Sequence, residues 1–305
     1  MSDSPRASTV RLVLAWASVY LIWGSTYLGI RLAIASIPPF LMAGSRHLLA
    51  GLLLFGWSRF RRRLPPPSRD DWQRAAVLGV LMLVTANGAT TWAEQLVPSG
   101  LTALIVCTSA LWLVLLDWLW RGAARPGVRT VAGLVAGFGG VGLLVIPVDF
   151  AGGEHVDPIG AIVLTGAALS WSVGSILAIK LSRPKHPTLF VSQQMIVAGG
   201  VLLAVALLTG EVGAFTWAAV TPSSAAAYLY LAVFGSLISY SAYYWLLRHT
   251  TPDRLATISY VNPLVAVILG WALASEPLTV RTLAAAAVIL LAVGLITTTR
   301  LRRPA

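Results

Sequence analysis

Leu255 to Thr279 reads LATISYVNPLVAVILGWALASEPLT, an apolar run long enough to cross a bilayer with Asn262 and Pro263 in its interior. Proline has no N–H and clashes with the preceding turn, so it kinks or breaks a helix. In lipid the carbonyl it frees must find a partner in protein, water or a passing solute. Two readings follow: a plain kink in a membrane helix, or an interrupted helix lining a binding site near the midplane, as in secondary transporters. The polar neighbour Asn262 and the internal repeat below favour the site.

Outward from this run, the rest of the chain has the same character. Of 305 residues, 57% are hydrophobic and only 11% are charged, where a soluble domain carries about 25% charged residues. Ten apolar runs can be read, at about 12–31, 39–57, 75–94, 98–119, 129–148, 158–179, 188–208, 223–246, 254–274 and 281–299. The expected fold is therefore all-α, a polytopic membrane protein of ten transmembrane helices. Pro39, Pro98, Pro158, Pro187, Pro222 and Pro252 fall near helix starts, where proline costs little. Trp57, Trp72, Trp118, Trp120, Trp217 and Trp271 fall near span ends, as an interfacial belt requires. The first run is read as an uncleaved span, because it is long and more spans follow.

A net charge of +11 first suggests nucleic acid, but its distribution is a topology signal. The basic residues cluster at the N-terminus, after spans two, four, six and eight, and at the C-terminus. Only Arg31, Arg46 and Arg281 of the 22 Lys and Arg lie elsewhere. The alternate loops carry Glu94, Asp149, Glu154, Asp157, Glu211 and Glu276. Both termini are thus expected in the cytoplasm, with lipid as the surrounding partner and no nucleic acid.

The halves echo one another at an offset of about 150 residues. Trp23 in YLIWGSTYLGIR matches Trp171 in LSWSVGSILAIK, Pro98 matches Pro252, and Val128-Arg129-Thr130 matches Val280-Arg281-Thr282. Five spans is an odd number, so a second copy enters the membrane from the opposite side. The expected units are 1–152 and 153–305, two inverted five-helix repeats with a site at their interface.

Five stretches carry a resemblance: LIWGSTYLGIR in span one, PPFLMAGSRHLLAG in span two, WAEQLVPSGLTAL at the third turn, GLVAGFGGVGLLV in span five, and YVNPLVAVILGWALASEPLT in span nine. With them the chain resembles the EamA-type transporters of the drug/metabolite transporter superfamily over nearly its whole length. The resemblance implies two five-helix halves around a central cavity, a bacterial inner (plasma) membrane location, and export of small metabolites, amino acids or amphipathic compounds among them. One departure stands out. A proline usual in span four is absent, and the region reads CTSALW from Cys107 to Trp112.

Candidate cavity residues are Trp23, Ser25, Asn87, Thr91, Trp92, Trp171, Tyr240, Tyr243, Asn262 and Pro263. Aromatic faces can stack on a solute while polar tips orient it; the alternative is interhelical glue, at about 0.6 kcal/mol per bond. Arg46, about 10 Å into span two, is a gate or anion contact paired with Glu94, or a structural ion pair. Glu94 is a gate or proton-binding residue, or an interfacial carboxylate. Asp117 and Arg121 are expected to pair, four apart on a helix end. Glycines 133, 137, 139, 140 and 142, with Ala284 to Ala287 and Gly294, read as a close-packing face.

No phosphate loop, HExxH or CxxC occurs, so no ATP hydrolysis, metal or cofactor is expected, and no enzyme activity. Cys107, the single cysteine, reads as a packing residue. The leading expectation is a secondary exporter acting by alternating access, as monomer or homodimer. Uptake, a lipid-like substrate, or a non-transporting membrane partner remain as alternatives.

Overall fold

The computed structural model describes residues 9–122, 125–145, 156–181, 186–250 and 257–301. Asp149, Glu154, Pro252 and Arg254, and the terminal and loop arginines Arg6, Arg183, Arg302 and Arg303, lie outside them, as does the Arg121 side chain expected to meet Asp117. Eight helices are long and apolar enough to cross a membrane: α1 (Thr9–Ala33), α2 (Pro39–Arg61), α3 (Arg69–Ala93), α4 (Ser99–Trp120), α5 (Val128–Val145), α6 (Pro158–Ala178), α7 (Pro187–Leu208) and α8 (Pro222–Leu246). Two shorter apolar helices follow, α9 (Ile258–Ala274) and α10 (Val280–Leu295). The chain is an all-helical polytopic membrane protein.

Helix ends follow local chemistry. Pro39, Pro187 and Pro222 occupy the first turns of α2, α7 and α8. Ser68 and Asp71 form a reciprocal capping box at the start of α3, with bonds of 3.1 and 2.9 Å. The carboxylate of Glu211 accepts the Leu41 N–H at 2.8 Å, capping α2 from the far side of the α7–α8 turn; burial pushes this carboxyl above its ordinary range. The lipid-facing side is apolar, and Trp57, Trp120, Trp217 and Trp271 are exposed near helix ends.

Close packing rests on small residues. A methyl on Gly199 of α7 would come within 2.5 Å of the Leu48 backbone nitrogen, and one on Gly44 within 2.8 Å of Leu203 N. The α2 and α7 backbones therefore touch. Gly137 and Gly140 of α5 are equally tight, against Leu111 and Ile289, while Gly139 and Gly142 face nothing within 4 Å. The packing face on α5 is narrower than its glycine count suggests.

The principal helix contacts are α2–α7, α4–α9 and α5–α10, together with α3–α6 and α1–α8, α3–α7 and α2–α8, and α4–α6 and α1–α9. Exchanging each helix with the one five places along maps this set onto itself. Not every contact has such a counterpart: α1 packs closely on α4 and α4 also meets α10, but among the described residues α6 makes no comparable contact with α9, nor α5 with α9.

Five helices are irregular, and not where proline alone would put the breaks: α1 and α2 widen at Ser18–Ile22 and Trp57–Arg61, and three more are irregular around mid-helix. The backbone widens to π-helical turns at Val80–Gly88 in α3 and at Leu231–Ser239 in α8. Helix α4 breaks at Cys107–Thr108, where tight bonds run from Thr108 N to Ile105 O and from Ala110 N to Cys107 O. Helix α9, in contrast, runs unbroken through Pro263. The reason is specific. Pro263 cannot donate to the carbonyl four residues back, that of Ser259, and the Cys107 thiol donates to that carbonyl instead at 2.8 Å. Cys107 is thus more than a packing residue.

Candidate functional site

The irregular segments of α3, α4 and α8 meet α9 around one cavity of about 190 Å³. An apolar cavity of about 150 Å³ is enough to hold benzene. The space is therefore of the size that holds a small solute of about one ring. Trp23, Asn87, Trp171, Tyr240, Asn262 and Pro263 line it, with Arg46 at its wall. The other four sequence candidates lie off the lining. Ser25 bonds Tyr230 at 2.6 Å, joining α1 to α8. Thr91 is fully buried and donates to the Asn87 carbonyl at 2.9 Å. Trp92 packs on the α4–α5–α6 core, and the Tyr243 ring lies tilted against Trp23 at 5.0 Å.

Thr90, one of the third-span polar residues, lines the space too, and sequence reasoning missed Tyr27, His47, Cys107 and Ser259, which also line it. Tyr27 lies four residues after Trp23, so helical spacing from a known candidate pointed to it; His47, next to Arg46 in sequence, had no such pointer. Thr90 and Ser259 lie three residues from Asn87 and Asn262 and were open to the same argument, whereas Cys107 carried no such signal.

The polar lining is only partly matched. Trp23 Nε1 donates to the Gly235 carbonyl, in the widened turn of α8, at 3.3 Å. His47 Nδ1 lies 2.7 Å from the Ala43 carbonyl. Arg46 is 3% exposed and donates to Asn87 Oδ1 at 2.6 Å, but its Nε has no partner among the described residues. Asn262 Oδ1 and the Tyr240 hydroxyl are likewise unmatched. An unmatched buried polar group costs about 1–3 kcal/mol. A donor on Arg46 and polar oxygens on Asn262 and Tyr240 are thus left unmatched in residues that line the cavity. Trp23, Tyr27, Trp171 and Tyr240 supply the aromatic faces between them.

Beyond Arg46 the cavity is sealed. Glu94, Val97 and Ser99 are fully buried at this end. Glu276, just past α9, clamps the start of α4: its Oε1 accepts from Ser99 N at 2.7 Å and Ser99 Oγ at 2.8 Å, and its Oε2 from Gly100 N at 3.0 Å. A carboxylate at a helix N-terminus is held by unpaired N–H groups and the helix dipole together. The Arg46–Glu94 ion pair does not form. Arg46 turns to Asn87, and Arg31 donates to the Glu94 backbone carbonyl. Among the described residues the ion pair shown is Arg74–Asp70, at 2.7 Å. At the opposite end Tyr20 and Thr257 share a 2.5 Å hydrogen bond between α1 and α9. No group of three or more metal-ligating side chains occurs among the described residues.

A multi-helix membrane protein with a part-polar cavity at mid-bundle has the architecture of a transporter. The profile of the EamA-like transporter family matches residues 11–146 and 158–298. The chain belongs to that family. It is 36% identical over 285 residues to the uncharacterized inner membrane transporter YedA of Escherichia coli K12, covering 92% of this chain and 88% of that one. It is 27% identical to the uncharacterized transporter YvbV of Bacillus subtilis, over 98% and 94% of the two chains. It is 30% identical to Protein PecM of Dickeya dadantii, over 82% and 80%. One solved crystal structure superposes with a TM-score of 0.65 at 17% identity, covering 97% of this chain and all of the other; it supports the fold.

Proposed function

We propose that this membrane transporter is a secondary carrier of the bacterial inner membrane that exports small metabolites, amino acids or compact amphipathic compounds, by alternating access. It performs no catalysis, and its termini lie in the cytoplasm. The observation that carries the reading is the cavity. Its walls come from α1 to α4 on one side and α6, α8 and α9 on the other, and it joins aromatic faces to the unmatched Arg46 Nε, Asn262 Oδ1 and Tyr240 hydroxyl. A carboxylate fits the arginine, an ammonium fits the amide oxygen and the rings, and the volume fits a small solute.

The contact pattern supports two inverted units, 1–152 and 153–305. Most helices pair as their counterparts five places along do, and one exception is mechanistic. Contact of α1 with α4 closes the Glu94 end, and its counterpart, α6 with α9, has no comparable packing among the described residues. Exchanging which of these two contacts is closed moves the cavity from one face to the other. Arg46 and Glu94 sit at the closed end as gating residues. Uptake by the same cycle is the second reading, since the geometry is symmetric with respect to direction.

Purified full-length protein in liposomes, loaded with a mixture of radiolabelled L-amino acids, tests this. Efflux of at least one, lowered in Tyr240→Ala and Asn262→Ala at equal protein content, is expected. Equal flux in both variants would remove the site, and no flux of any probe would remove the substrate class.

A further inference from the structure

Glu94 is the most anomalous side chain in the molecule. It is 0% exposed, and neither carboxylate oxygen has a hydrogen-bond partner among the described residues. Four groups from the packed helices face it: Arg31 and Tyr27 from α1, Arg46 from α2, and Glu276 from the end of α9. None relieves it. Arg31 is bonded to its backbone carbonyl and Arg46 to Asn87, so neither guanidinium reaches ion-pair distance of the carboxylate. Glu276 is fixed on Ser99 and Gly100.

An ionised carboxylate without a partner cannot remain in such a site, because its burial is far more costly than that of a neutral acid. Something must cancel the charge. A metal ion does not fit, since one carboxylate flanked by two arginines is no ligand set. The ammonium of a solute does not reach it, since Glu94 lies outside the cavity lining and behind the seal. A proton remains.

We propose that Glu94 is a proton-binding site that controls the seal at its end of the carrier. This rests on the carrier reading above and goes beyond it by naming the ligand and the regulation. In the sealed state one Glu94 oxygen carries a proton. When Glu276 leaves Ser99 and α1 parts from α4, water enters, the O–H bond breaks heterolytically, and the proton passes to water on that side. The carboxylate then stands hydrated beside Arg31 and Arg46, and resealing takes one proton back. Acid on this face therefore favours closure, and alkali favours opening.

Infrared spectroscopy of the full chain in liposomes tests the site without any transported solute. At pH 7 the wild type should show the carbonyl stretch of a buried protonated carboxylic acid. Glu94→Gln should lack that band and Glu276→Gln should retain it. Absence of the band in wild type, or its persistence in Glu94→Gln, overturns the proposal. A second measurement uses Thr90→Cys in a Cys107→Ser background, labelled by a membrane-impermeant thiol reagent and normalised to an exposed control, Gly213→Cys. Labelling should rise with pH when Glu94 is present and stay low at every pH in Glu94→Gln, which imitates the neutral acid. A flat profile with Glu94 in place overturns the regulatory half, and does so even if Glu94→Gln fails to assemble. Because neither readout requires flux, a carrier that moves none of the amino acid probes would fail the substrate reading and leave this one standing on its own data.

Discussion

Replacing Glu276 by alanine should unlatch the sealed end. The carboxylate takes three donors, two of them backbone N–H groups at the start of α4. Loss of an N-terminal cap costs about 0.5–2 kcal/mol, and loss of a negative charge at a helix start about 0.3–1 kcal/mol. Glu276 is part-exposed, so a middle value of about 2 kcal/mol in favour of the open form is appropriate. At 1.4 kcal/mol per factor of ten, this is a shift of about 30-fold in the open-to-sealed ratio. The assay is labelling of Thr90→Cys, a 6% exposed residue inside the seal, in a Cys107→Ser background. Labelling should rise by about that factor, with Glu276→Gln intermediate because it keeps an acceptor but no charge. Unchanged labelling in Glu276→Ala, with protein abundance unchanged, would refute the latch.

Further outcomes follow from individual contacts. Gly270→Ala should imitate Glu276→Ala in the same assay, because its methyl would collide with the Glu276 carboxylate and push it from Ser99. Cys107→Ala should lower stability in thermal melts by about 1 kcal/mol by orphaning the Ser259 carbonyl, whereas Cys107→Ser keeps a donor and should melt near wild type. Gly199→Ala forces a methyl against the Leu48 backbone and should cost about 1–3 kcal/mol, while Gly139→Ala, with open space, should cost nothing measurable in the same melts.

The number and order of helices were legible because the bilayer demands long apolar runs and because lysines and arginines mark the spaces between them. Individual side chains at mid-membrane were legible only in part. Trp23, Asn87, Trp171, Tyr240 and Asn262 stood out as polar or aromatic residues in apolar runs, and the fold brings them to one space. Ser25, Thr91, Trp92 and Tyr243 stood out equally, yet face neighbouring helices. A few residues' difference in helix phase decides between the two, and period alone does not fix phase where backbone widens, as it does around Asn87 and Ser236. Pro263 drew attention to α9, but the break falls in α4 at Cys107–Thr108. The thiol that repairs α9 is 152 residues away in the sequence, a distance no local pattern spans. Glu276 looked like an ordinary loop acid for the same reason.

Chemical modification of Cys107 puts the central claim, that a solute passes through this one cavity, to the most direct test. It is the single cysteine of the natural chain and it lines the space. In liposomes, a small methanethiosulfonate reagent should block efflux of the transported amino acid in wild type and leave Cys107→Ser unaffected. Saturating solute should slow the reaction. Full modification of Cys107 with flux undiminished, or flux that proceeds while Cys107 never reacts, would place the solute's path elsewhere.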